Sequence, residues 1–153
     1  MRSTAQRTAR MTIVDVALLV TVTAVVVAFS VPVIEKATQR AQVSTLLENL
    51  RILREQIELY KLQHAGRAPV LHNGGLPQLI RSTDVRGRLG PPGSNFPLGP
   101  YLRSGVPVNP VTNRSIVARA DTFPPEAASG NGGWLYHQPT GQIAIDLEEY
   151  LDR

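Results

Sequence analysis

The sequence predicts an α+β fold in which a long N-terminal helix, transmembrane in its first half and amphipathic in its second, packs on a small antiparallel β-sheet head. Three observations predict it: an uncharged apolar run near the N-terminus, a helical apolar pattern directly after it, and short β-rich segments near the C-terminus. A chain of 153 residues has room for one modest domain and an anchor, but not for a large enzyme core.

The apolar run covers residues 16–34 and holds no charged residue. Nineteen helical residues extend for roughly 28 Å, close to the hydrocarbon thickness of about 30 Å. Residues 11–34 therefore predict a transmembrane helix. Residues 1–10 form a basic leader with three arginines and no acid, so the positive-inside rule places the N-terminus in the cytoplasm and the head outside it.

A cleaved secretory signal is the alternative reading of the same residues. A basic start, an apolar run and the small-x-small site at residues 28–30 fit that description. The helical pattern continues beyond Ser30, which favours an uncleaved helix, but a secreted non-catalytic domain stays open.

Residues 35–64 predict an amphipathic continuation of the helix. Apolar side chains recur there at intervals of three and four, the period of one helical face. Gly66 and Pro69 end the pattern. The apolar positions are Val43, Leu46, Leu47, Leu50, Leu53, Ile57 and Tyr60.

The remaining segments differ in kind. Residues 65–113 contain eight Gly and eight Pro and predict a loop, with a short helix at 76–82 begun by Pro77. Residues 114–153 predict a small antiparallel sheet and an acidic tail. Its three strands are expected in SIVARA, GWLYHQ and QIAID, the last two joined as a hairpin around residues 139–141.

Two spacings and three segments carry a family resemblance. Asp15 follows Met11 by four residues, and Pro32 follows Asp15 by seventeen. The segments LRILREQIELYKLQHAGRAP, FPLGPYLRSGVPVNP and GGWLYHQPTGQI follow in the same order as a helix end, a mid-loop and a terminal hairpin. In these features the chain resembles the type IV pilin-like proteins and, within them, the major pseudopilin of type II secretion systems.

The resemblance implies a structural, non-enzymatic subunit that polymerises into a periplasmic filament for type II protein secretion. Its implied partners are its own copies, other pseudopilins, an inner-membrane secretion platform and a separate assembly ATPase. Its implied location is the bacterial inner (cytoplasmic) membrane, single-pass, with the head in the periplasm. A subunit of a type IV pilus or of a DNA-uptake system is the alternative.

The resemblance also assigns roles to Asp15 and Pro32 in filament assembly. A carboxylate in an apolar helix needs a cationic partner, and by resemblance this is the α-amino group of a neighbouring subunit. Pro32 removes one backbone donor and bends or loosens the helix. An alternative stays open for each residue. Asp15 lies at the level of the lipid headgroups and needs no partner, and Pro32 only kinks the helix at the end of the span.

The leader departs from the family pattern. A prepilin peptidase requires glycine before the first mature residue, whereas this chain has Arg10 there and Met11 in place of phenylalanine. Three outcomes stay open: an atypical peptidase cleaves between Arg10 and Met11, the leader is retained, or translation begins at Met11.

Charge is unevenly distributed in the head. Residues 81–119 contain six arginines and one acid, Asp84. Residues 121–153 contain six acids and one base. We hypothesise that the basic loop of one subunit meets the acidic tail of the next; the alternative is that both are solvated. The chain is basic, with a sequence pI of about 10.0, and positive charge favours binding to DNA phosphates. Only Phe96 and Tyr101 near the arginines could stack on bases, so we expect little nucleic-acid binding.

The sequence predicts neither an enzyme nor a cofactor. His64, His72 and His137 are scattered and expected at the surface or its boundary, the chain has no cysteine, and GPPGSNFPLG lacks the ending of a phosphate loop. Calcium is implied only by the resemblance, in the C-terminal loop region near Asp121 and Asp146. The six to eight oxygen ligands of a calcium site are not evident, so no metal is assigned.

Overall fold

The computed structural model describes residues 13–151. Within the first helix it describes the side chains of residues 13, 14, 17, 18 and 20 and of those from 36 onward. The elements are α1 (Ile13–Gln63), α2 (Pro77–Ile80), β1 (Val117–Arg119), β2 (Trp134–His137), β3 (Gln142–Ile145) and a 3-10 turn, η1 (Glu148–Tyr150). The chain divides into two units, residues 1–41 and 42–153, and the second is called the head below.

The three strands form one mixed sheet in the order β1-β2-β3. Strands β2 and β3 pair antiparallel, with Trp134 opposite Ile145, whereas β1 and β2 pair parallel, with Val117 opposite Trp134. The prediction of a purely antiparallel sheet was therefore wrong. Parallel neighbours need a connection of a dozen residues or more, and residues 120–133 supply one that returns the chain to the start of the sheet.

The transmembrane prediction was also wrong. A membrane-spanning helix needs about twenty consecutive, predominantly apolar residues, and none of the helices in the described part of the chain meets that requirement. This finding corrects the assignment of residues 11–34 as a transmembrane half of a long N-terminal helix. It equally corrects the expected single-pass location in the inner membrane. The α+β class itself is compatible with the observed elements.

The core of the head lies between α1 and one face of the sheet. The apolar stripe of α1 is buried there from Leu46 to Tyr60. Side chains alternate between the two faces of a strand, so Trp134 and Tyr136 join this core while Leu135 packs with Ala120 and Ala144 on the other face. Full burial of a large apolar side chain contributes about 1.5–3 kcal/mol, so this stripe is the main stabilising contact of the head.

Gly133 allows β1 and β2 to come close together. The backbone N–H of Trp134 donates to the carbonyl oxygen of Ile116 at 2.8 Å. A Cβ on Gly133 would collide with that same carbonyl oxygen. Glycine is therefore required here by the approach of another backbone.

Candidate assembly surface

The residues predicted for leader cleavage and for filament assembly lie in the N-terminal part of the sequence. Arg10 and Met11 fall outside the described residues. Asp15 and Pro32 lie within α1, and their side chains are also outside the described part. The described side chains around Asp15 are apolar and largely exposed: Ile13 (89%), Val14 (74%), Leu18 (65%) and Val20 (58%).

His64 joins the end of α1 to the loop that follows. The side chain is fully buried, its Nδ1 lies 2.7 Å from the carbonyl oxygen of Tyr60, and its Nε2 lies 3.0 Å from Oγ1 of Thr83. A carbonyl only accepts hydrogen bonds, so Nδ1 donates, and in the neutral imidazole Nε2 then accepts from the Thr83 hydroxyl. The prediction of a surface or boundary histidine was wrong, because the following loop folds over the helix end.

Thr83 fixes that loop in place. Its backbone exchanges two hydrogen bonds with Leu98, at 2.8 and 3.1 Å. Farther along the loop, the Tyr101 hydroxyl donates to Oε1 of Gln63 at 2.7 Å. Residues 82–101 are therefore held against the C-terminal end of α1.

This loop and the segments beside it carry a group of arginines that we call the basic end of the head. Asp84 is its only acid, and this carboxylate accepts hydrogen bonds from the backbone N–H groups of Arg86 (3.0 Å) and Arg88 (2.8 Å) and from Nε of Arg88 (2.6 Å). Burial opposes the ionisation of Asp84, but the Arg88 bonds and charge outweigh it and lower its pKa. The members of the basic end are Arg67, Arg81, Arg86, Arg88 and Arg103, all exposed.

A buried carboxylate organises the opposite side of the head. Asp146 is 2% exposed, and its oxygens accept from the backbone N–H of Ser129 (2.6 Å), the Ser129 hydroxyl and the backbone N–H of Gly132 (3.0 Å). Next to it, Oε1 of Glu148 accepts from the backbone N–H of Ala128 at 2.9 Å. From the sequence, Asp146 could be identified only as an acid near the strands. Its hydrogen-bond partners could not be predicted, because they lie 14 and 17 residues away.

These contacts do not fit the calcium site that the family resemblance implies. Both oxygens of Asp146 face N–H or O–H donors, whose positive ends would repel a cation. A calcium ion also needs six to eight oxygen ligands, and among the described residues no three His, Asp or Glu side chains come together. We therefore assign to Asp146 a structural role in holding residues 129–132.

Asp146 and the basic end lie at opposite ends of the head along α1. Gly141, before β3, packs near Ile57 and Lys61, and Nε of Arg54 donates to the carbonyl oxygen of Ile143 at 3.2 Å. Strand β3 thus runs antiparallel to α1, away from the basic end. Nearer the N-terminal side of the head, Nδ2 of Asn49 donates to the carbonyl oxygen of Val108 at 2.9 Å. The side chain of the next residue, Asn109, donates to the carbonyl oxygen of Gly133. That oxygen also accepts from the backbone N–H of Asp146.

The helix gives the scale of this separation. Fourteen residues separate Asn49 from Gln63, which is about 21 Å at 1.5 Å per residue. We call Asp146, Glu148 and Glu149 the acidic end of the head; the last two are exposed.

The structure divides the arginine block that the sequence groups together. Arg114 lines a groove of about 400 Å³ with Asp146 and Glu148. Arg119 lines another, of about 240 Å³, with Asp121 and Glu126. These two arginines lie among acids and do not belong to the basic end, a division that depends on tertiary contacts.

Comparisons with protein-family models, curated proteins and solved structures gave no match to this chain.

Proposed function

We propose that this chain is a structural subunit that polymerises with its own copies into a pseudopilin-type filament, of the kind that serves type II protein secretion. The observation that carries the proposal is the apolar start of α1, where four described side chains are 58–89% exposed. Contiguous exposed apolar surface is typical of sites that associate with other surfaces. In this proposal the occupant is the same segment of neighbouring copies.

The charge pattern of this segment supports a specific contact between copies. Residues 16–34 contain no charged side chain, and Asp15 is the single acid before them. A carboxylate removed from water is costly unless it is paired. We propose that Asp15 pairs with the α-amino group of a neighbouring chain, so that packing is favourable only in the register that satisfies both charges.

The head supports a structural role in its own way. Its buried polar groups hold the loops together: His64 and Thr83 at one end, Asp146 at the other. These groups are engaged with one another and with backbone, and we assign no reaction to them. The head then acts as a rigid body that an assembly can display.

Electron microscopy of the purified full-length chain tests this function. Wild-type protein is expected to form filaments, Asp15→Ala to lose them and Asp15→Glu to retain them, because only glutamate preserves the charge. Gln39→Glu, an exposed substitution elsewhere on α1, is the matched control and should assemble normally. Filaments that form equally well with Asp15→Ala would contradict the proposed pairing, and a wild-type chain that never assembles would contradict the function.

A further inference from the structure

The two ends of the head carry opposite net charge, and Arg114 lies beside Asp146 and Glu148 at the acidic end. The only ion pair that the described residues form at the basic end joins Arg88 to Asp84. Arg67, Arg81, Arg86 and Arg103 form none there, and neither does Glu148 or Glu149 at the acidic end. Asn49 and Gln63, which bind Val108 toward one end and Tyr101 at the other, are about 21 Å apart along α1. This is more than two Debye lengths at physiological salt, so charge at one end is largely screened from charge at the other.

This arrangement restricts how two heads can meet. A symmetric contact through the basic ends would place arginines against arginines, and like charges across an interface are strongly unfavourable. A contact between the basic end of one head and the acidic end of another pairs opposite charges. A head-to-tail contact of this kind leaves one free basic end and one free acidic end and can repeat indefinitely, whereas an antiparallel two-fold pair would use both ends of each copy and close as a dimer.

We propose that the basic end of one head binds the acidic end of the next copy, and that this contact sets the direction and axial register of the assembly. The proposal rests on the proposed function, since it names the surface through which the heads of that filament meet. The contributing residues are Arg81, Arg86 and Arg103 on one copy and Glu148 and Glu149 on the other. Exposed charges of this kind govern encounter rate and salt dependence more than final affinity.

A second copy fits the basic end better than a nucleic acid does. Phosphate groups would also bind exposed arginines, but both aromatic rings of this loop are already packed. Phe96 lies against Gly90, and Tyr101 packs edge-on against Tyr60 with its hydroxyl bonded to Gln63. Stacking on bases is therefore poorly supported. The complementary acids lie on the same chain, at the other end of the head, as a repeating head-to-tail contact requires.

Charge reversal at each end, followed by mixing, tests the proposal on the full-length chain. The Arg81→Glu/Arg86→Glu variant reverses two charges and leaves the basic end with no net charge, and the Glu148→Lys/Glu149→Lys variant is basic at both ends. Each alone is expected to assemble about tenfold more slowly than wild type at low salt, as followed by light scattering. Their equimolar mixture should regain the wild-type rate, and added salt should slow it. A folding defect would not be rescued by mixing.

The control reverses charges that lie outside both ends. Arg119→Glu and Asp121→Lys together invert a neighbouring pair that lines one groove, and this variant should assemble as wild type does. Reversal variants that assemble at the wild-type rate would overturn the head-to-tail contact while leaving the filament function standing. A wild-type chain that does not assemble would overturn both. Retention of DNA on a filter, lost on Arg81→Glu/Arg86→Glu without rescue by mixing, would identify a phosphate-binding surface and overturn the proposal.

Discussion

The imidazole of His64 stacks on the ring of Tyr60, with centroids 3.7 Å apart and planes 11° from parallel. The same imidazole bonds the Tyr60 carbonyl oxygen and the Thr83 hydroxyl. One side chain therefore closes the last turn of α1 and fixes the loop that carries the basic end.

Replacing this imidazole should destabilise the head. His64→Ala leaves a cavity and removes two buried hydrogen bonds, and we expect a loss of about 2–4 kcal/mol in the free energy of unfolding. Urea unfolding followed by the fluorescence of Trp134, the single tryptophan and a buried one, measures it. His72→Ala, at an exposed position, is the control and should change stability by about 0.5 kcal/mol at most. Equal losses in the two variants would show that the His64 contacts contribute nothing.

High pH should weaken the head through Tyr60. Burial, with the nearby negative charges of Asp84 and ionised Tyr101, raises the pKa of Tyr60 from 10.0 to about 12. Between pH 10 and 12 the unfolded chain loses this proton while the folded chain keeps it, so stability falls as pH rises through that window. The urea midpoint between pH 9 and 12 measures the fall.

Tyr60→Phe should make that profile less steep. The slope should not vanish, because burial also raises the pKa values of Tyr101 and Tyr136. An unchanged slope in Tyr60→Phe would mean that the Tyr60 hydroxyl ionises equally in both states.

A methyl group at Gly133 should disrupt the start of the parallel pair. Its Cβ would overlap the Ile116 carbonyl oxygen, a backbone atom that cannot move without displacing β1. We expect Gly133→Ala to cost about 1–3 kcal/mol or more. In Gly75→Ala the nearest atom to the new Cβ is 3.9 Å away, so this control should unfold close to wild type. A fully stable Gly133→Ala protein would contradict the described packing of β1 on β2.

Much of the head could be predicted from local pattern. The stripe from Leu46 to Tyr60 has the helical period, and its members are the side chains that α1 buries against the sheet. The three strands lie within the segments where alternating β-rich residues occur. Periodicity indicates the inward face of an element, because burial repeats with the geometry of that element.

The parallel pairing, the buried His64 and the partners of Asp146 could not be predicted in this way. Each depends on where a loop packs in the folded head. Residues 120–133 connect the parallel strands, residues 82–101 cover the helix end at His64, and residues 129–132 bind the carboxylate of Asp146. The transmembrane assignment was drawn from the length of an uncharged run and the arginines before it, and no helix in the described part of the chain bears it out.

Asp146 should stabilise the head without metal. In Asp146→Asn an NH₂ group replaces one carboxylate oxygen. This group is itself a donor and would meet an N–H or O–H donor, so we expect a loss of about 1–3 kcal/mol in the free energy of unfolding. Thermal unfolding measures it, with the exposed Asp121→Asn as the control.

The same thermal unfolding curves should be unchanged by calcium chloride or by a chelator. The reason is that both Asp146 oxygens already accept protein hydrogen bonds. A clear rise in the melting temperature with calcium, lost in Asp146→Asn, would contradict this assignment.

Association of the apolar start of α1 between copies is the central claim, and disulfide cross-linking tests it most directly. The chain contains no cysteine, so Leu18→Cys introduces a single thiol at an exposed apolar position, and Asp121→Cys places one on the head as the control. On mild oxidation of the full-length chain, we predict a covalent dimer for Leu18→Cys and little for Asp121→Cys. A Leu18→Cys chain that stays monomeric and sediments as a single copy would contradict the account.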